Sequence, residues 1–248
     1  MKVIIRTIWV LLVMAMTGSV AIAETDPAHR EAKAVEVLKQ MDAYTDSMQK
    51  FVIKAESYND ASIGAGLVIS NPFKSRVAVD RSGSMHSISK SGSQTSEIYL
   101  HKGELTVFSN EHKYYTRADV PKTLTEGLIY ALEEFDVETP ILDLLIVNAL
   151  DHFVSDRADF FYVTGDSSIR GVDCHHVLIA GPNADLQLWI EKGDKPVPRR
   201  TLMTYKDAEG VPRHEVFLDW SEKDGFDASE FEFEPPEGAH EIDFIKAP

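Results

Sequence analysis

Between residues 28 and 50 the apolar side chains Ala34, Val37, Met41, Tyr44 and Met48 recur every three or four positions, with Leu38 beside them and charges between. That spacing is one stripe of an amphipathic helix, which must lay its stripe on a partner surface. The period then shortens to two. Phe51, Ile53 and Ala55 alternate with Lys54 and Glu56, and Val77 and Val79 repeat the pattern within residues 76–80. Such segments predict antiparallel strands with one buried face. Residues 97–100 and 104–109 flank His101-Lys102-Gly103, whose glycine suits the positive φ of a tight hairpin.

The middle of the chain returns to helical spacing. Thr123-Leu124-Thr125-Glu126 reads as a capping box, followed by Leu124, Leu128, Ala131, Leu132 and Phe135 on one stripe. Thr139-Pro140 reads as a second cap with proline at the first helical position, and the continuation from Ile141 to Leu150 is apolar nearly all round. Alternation resumes after Asp159, with strands predicted near 160–164, 171–180, 186–191, 199–206 and 213–220. The order helix, strands, two helices, strands predicts an α+β fold: one large curved antiparallel sheet with helices packed on one face. No repeat or Pro- or Ser-rich linker divides it, so a single domain over 24–248 is expected.

The first residues change the picture of where the chain works. Lys2 and Arg6 precede an apolar stretch from Thr7 to Val20 that closes on Ala21-Ile22-Ala23, the three parts of a secretory signal peptide. The stretch is shorter than the roughly 20 residues of a spanning helix. Residues 1–23 are therefore expected to be removed, leaving a protein of the periplasm of a Gram-negative bacterium that is not integral to the membrane. Loss of Lys2 and Arg6 takes the formal charge from −15 to −17. Such acidity disfavours nucleic acid as a partner. The one cysteine, Cys174, cannot make an internal disulfide and reads as a buried small residue rather than a nucleophile.

Catalytic signatures are absent from the sequence. Gly165-Asp166-Ser167-Ser168-Ile169 lacks the closing glycine of a nucleophile elbow, and His214-Glu215 and His240-Glu241 lack the second histidine of a zinc helix. In Asp173-Cys174-His175-His176, read as a strand, Cys174 and His176 share one face and Asp173 and His175 the other, which suits ordinary strand residues better than a metal site. No enzyme, cofactor or metal is expected.

The hairpin Leu188-Trp189-Ile190-Glu191-Lys192-Gly193-Asp194-Lys195-Pro196 with Pro198-Arg199 resembles a predicted periplasmic family, domain of unknown function 2092. The resemblance continues in residues 101–108 with Tyr114-Tyr115, and in Phe231-Glu232-Phe233-Glu234-Pro235-Pro236-Glu237-Gly238. The last block is also similar to periplasmic lipoprotein carriers of the LolA type. That similarity implies an open half-barrel whose concave face is covered by helices and encloses an apolar cavity for acyl chains. On that basis the expected groove is lined by Leu128, Leu132, Phe135, Leu142, Leu145, Ile146 and Ala149, with Trp189 and Arg199 at its rim. The expected ligand is a lipid or an acylated protein, and the alternative is an envelope protein-interaction or sensor module without lipid transfer.

Overall fold

The N-terminal stripe forms α1 (Pro27–Ser47), and Ala34, Val37, Leu38 and Met41 are among its buried residues. The computed structural model describes residues 27–139, 141–147 and 160–244. The expected signal segment 1–23, Pro140 and the stretch from 148 to 159, with Ala149, lie outside them. Six strands follow α1 as a meander: β1 (Lys50–Ser62), β2 (Val68–Asp80), β3 (Ser84–Ser91), β4 (Gln94–His101), β5 (Glu104–Ser109) and β6 (Tyr114–Asp119). After α2 (Leu124–Phe135) and α3 (Leu142–Leu145) come β7 (Phe160–Ile169), β8 (Val172–Ala180), β9 (Ala184–Glu191), β10 (Pro198–Tyr205) and β11 (Arg213–Glu222). A two-residue strand, β12 (His240–Glu241), ends the order.

The described strands all belong to one open sheet, ordered β12-β6-β5-β4-β3-β2-β1-β11-β10-β9-β8-β7. Each described pairing is antiparallel except the short parallel contact of β12 with β6. The two meanders meet where β1 pairs with β11, Phe51 opposite Glu222 and Asn59 opposite His214. Alternation then assigns the two faces. On the helix face Phe51, Ile53 and Ala55 join Val77, Val79, Met85, Leu100, Leu105, Val216 and Leu218 in the main core, closed by Leu124, Leu128 and Ala131 of α2 and by Leu145. Helix α1 covers the far end of the same face, packing Val37, Leu38 and Met41 on Val163, Val177, Leu188 and Ile190. The opposite face is covered by the C-terminal tail, where Phe231 packs on Val52 and Ala78.

The capping box forms with one change. Thr123 accepts the Glu126 amide at 3.3 Å and donates its hydroxyl to the Glu126 carboxylate at 2.7 Å. At the other end Asp136 takes the left-handed conformation, φ 54°, and its amide reaches Ala131 and Leu132. The second helix departs from expectation. It begins at Leu142 behind a left-handed Ile141, so Thr139 is not its cap, and it ends after one turn where Ile146 becomes extended.

The far half of the sheet is strongly coiled. Strands β11, β10 and β9 separate β1 from β8, which in a flat sheet sets β1 and β8 roughly 19 Å apart. Yet Arg170, in the β7–β8 turn, bonds Glu56 of β1 and lies 4.6 Å above the Phe217 ring. The register shift between Val163 and Gly165 supplies the bend. The hairpin tip thereby folds over the tail face.

Candidate functional site: a hollow on the helix face

Arg81 sets the position of α3. It follows β2, its side chain is only 7 % exposed, and its guanidinium donates to Met48 O at 3.0 Å, Thr45 O at 3.0 Å and Leu145 O at 2.9 Å. The plane also lies 5.3 Å from the centre of the Phe51 ring. One rigid fork thus ties the end of α1, the start of the sheet and the end of α3 together. Burial lowers the Arg81 pKa, and Asp46 and Asp42 oppose that shift.

Beyond this clamp the cover is incompletely buried. Tyr130, Phe135, Val137, Ile141, Leu142 and Leu144 pack against the core while keeping accessible surface. Asp143 is exposed to solvent, yet desolvation by the surrounding protein pushes its carboxyl up. Tyr205 repeats the observation from the sheet side. It is 41 % exposed, and its hydroxyl is raised first by desolvation and then by the charges of Asp143 and Glu138. His214, on neighbouring β11, is lowered by desolvation against the opposing pull of Glu138. The α2–α3 connection therefore lies close enough to β10 and β11 for its carboxylates to act on both.

The floor of the helix face is unusually small and polar away from the core. Ser57, Ser75, Ser87 and Ser89 occupy this face, and the first three are buried at 2 %, 6 % and 1 % exposure. Among the described residues the hydroxyls of Ser75, Ser87 and Thr116 and the Nε2 of His214 are buried without a hydrogen-bond partner. Each such atom carries a cost that bound water or a ligand's polar group removes. The His214 ring lies 6.3 Å from that of Phe73.

The expected groove residues divide into two sets. Leu128, Leu145 and Ile146 are at most 1 % exposed and belong to the solid core, whereas Leu132, Phe135 and Leu142 are partly exposed, Phe135 with its ring stacked on Phe244 at 4.5 Å. Trp189, expected at a rim, is 6 % exposed and lies between His176, stacked at 4.2 Å, and Arg200, 4.1 Å above its ring. Arg199 is held by Glu191 at 2.5 Å. Tyr205, His214 and Asp143 are not legible as a group in the sequence, because strand and helix spacing carry no signal that β10, β11 and α3 converge.

The remaining chemical candidates are structurally occupied. Cys174 is fully buried, its thiol is raised chiefly by desolvation, and its Sγ donates to Val172 O at 3.4 Å. His175 contacts Asp166 at 3.0 Å and His176 contacts Gln187 at 2.9 Å, on opposite faces of β8. Among the described residues no three His, Cys, Asp or Glu side chains converge as metal ligands. No described helix is long and apolar enough to cross a membrane.

A family model described as "Predicted periplasmic protein (DUF2092)" matches residues 34–245. No curated protein matches the chain. Among solved structures, the Mycobacterium tuberculosis lipoprotein LppX is 11 % identical, with a TM-score of 0.49 over 82 % of this chain and 100 % of that one. An uncharacterized conserved protein from Thermus thermophilus is 10 % identical, with a TM-score of 0.49 over 85 % of this chain and 99 % of that one. A LolA superfamily protein from Nitrosomonas europaea is 13 % identical, with a TM-score of 0.40 over 81 % of this chain and 97 % of that one. At these values function has to be argued from the site itself.

Proposed function

The chain belongs to the DUF2092 family of predicted periplasmic proteins, and from that premise we propose that it is an envelope binding protein whose hollow on the helix face takes an amphiphile, a lipid or the acyl chain of a lipoprotein. One observation carries the reading: Asp143 and Tyr205 are exposed to water and yet desolvated by protein. That combination supports an open interior bounded by α3 on one side and β10 on the other. Leu132, Phe135 and Leu142 offer an apolar ceiling to a hydrocarbon chain. The buried, unpartnered atoms of Ser75, Ser87 and His214 would gain hydrogen bonds from a polar group that displaces the side chains covering them. Apolar walls with a few convergent polar groups suit such ligands.

Native mass spectrometry of the protein purified from the periplasm tests this. The expected result is a retained lipid-sized adduct, removed by organic extraction and weakened in Leu142→Asp. A protein that arrives without lipid and takes up none from vesicles excludes the proposal.

A second reading, envelope protein interaction, has its own observation. Ile63, Leu67, Val68 and Ile69 at the β1–β2 hairpin tip are 58 %, 60 %, 36 % and 46 % exposed, beside Val211 at 49 %. The tips touch, since Gly66 N donates to Glu209 at 3.2 Å. An apolar patch of this kind marks a contact surface. Ile69→Ser with Leu67→Ser is expected to abolish co-purification with a stoichiometric envelope protein while leaving lipid uptake intact; unchanged co-purification removes this reading.

A further inference from the structure

We propose that the tail face carries a second, separate site, which binds a phosphate-type polyanion in a hollow over β1, β2 and β3. The hollow has a volume of about 380 Å³ and is lined by Lys54, Lys74, Arg76 and Lys90, with Glu56 and Asp219. Four cations meet two carboxylates there, on a chain whose formal charge is −15.

The strand register makes this concentration costly. Lys54 stands directly opposite Arg76, and Lys74 directly opposite Lys90. Like charges at directly opposed strand positions destabilise a sheet. The chain relieves only part of the repulsion. Arg76 is paired with Glu230 of the tail at 2.6 Å and Lys74 with Glu56 at 2.8 Å. Lys54 has Asp219 across the strand, but that carboxylate lies 4.0 Å from Arg170. Among the described residues neither Lys54 nor Lys90 has an ion pair within 4.0 Å, although the Lys90 charge acts on the Glu97 carboxylate.

Two neighbouring segments border the patch: the folded-over hairpin tip brings Arg170 to Glu56, and the tail brings Glu230 to Arg76. A multiply charged anion lying between Lys54 and Lys90 cancels both opposed pairs at once, which a single carboxylate cannot do. The shared chemistry is a phosphate or pyrophosphate group, free in solution or borne by a lipid head. Contact cations dominate its binding, because salt screens the acidic remainder of the surface beyond about 10 Å.

The test uses the mature protein at about 0.1 M salt, where screening reaches the 10 Å scale, titrated with inorganic pyrophosphate by calorimetry and mixed with phosphatidylglycerol or phosphatidylcholine vesicles in a flotation assay. Pyrophosphate binding without flotation supports a soluble phosphate ligand, and flotation on phosphatidylglycerol alone supports a lipid head. Lys54→Gln with Lys90→Gln is expected to weaken whichever binding is seen by roughly tenfold or more, since two charge-assisted contacts are lost, without lowering the unfolding midpoint. No binding of either probe, or equal binding by the double variant, overturns the proposal. Apolar-ligand uptake by the helix face is unaffected in every case, so the two sites fail independently.

Discussion

Replacing Arg81 tests the account of what holds α3 against the end of α1 and the start of the sheet. The side chain makes three hydrogen bonds to backbone carbonyls of residues 45, 48 and 145 while almost fully buried. Hydrogen bonds to a charged donor contribute about 1.5–3 kcal/mol each, but the freed carbonyls near helix ends recover part of this from water. Arg81→Leu is therefore expected to cost roughly 4 kcal/mol, which for a chain of this size lowers Tm by roughly 8–16 °C. Arg81→Lys keeps the charge but replaces the planar fork with one ammonium that cannot span three carbonyls, so roughly half the loss remains. Thermal and urea unfolding followed by circular dichroism give the energies, and hydrogen exchange at residues 142–146 reports whether α3 is released. A leucine variant within about 1 kcal/mol of the parent refutes the clamp. A lysine variant equal to the parent shows that charge alone, not the three-way geometry, is what matters.

Three further outcomes follow from packing and titration. A Cβ on Gly127 would sit 2.9 Å from both Leu100 Cδ1 and the Pro121 carbonyl oxygen, so Gly127→Ala should lower the urea midpoint although alanine gains about 1 kcal/mol of helix propensity. His176 and His214 both titrate below their ordinary 6.5, chiefly through desolvation. The unfolded chain then binds protons first as pH falls, so their contribution is complete above that value and is lost as the pH drops through the folded ones. His176→Gln should flatten the fall of stability as pH drops below the ordinary histidine value of about 6.5; an unchanged slope contradicts the shift. Cys174, fully buried with its thiol raised, should react with a thiol reagent only at the rate at which its strand opens, and a fast reaction in native buffer would show otherwise.

The sequence carries the elements whose partners are local. The α1 stripe, the alternation of β1, the turn at Lys102-Gly103 and the Thr123–Glu126 cap are set by spacing within a few residues, and all of them form. Strand β3 has no such signal because Ser87 and Ser89 occupy its helix face beside Met85, so hydrophobic alternation fades where the floor is polar. Strand β6 shows in the sequence only as an aromatic pair, and β12 is too short to have a period. Periodicity places Leu128 and Leu132 on one stripe but cannot tell that the first is sealed in the core and the second is not. Trp189 owes its burial to His176 and Arg200 from two other strands, and Arg81 owes its role to carbonyls far along the chain. Neither relation leaves a local trace.

The seam between β1 and β11 governs when the molecule can become itself. Residues 51–59 wait for residues 214–222, so a chain emerging from its N-terminus has only one half of the sheet and a bare central edge. Long-range pairing of this kind is slow to nucleate. The delay leaves that edge open to misassembly until the last long strand arrives.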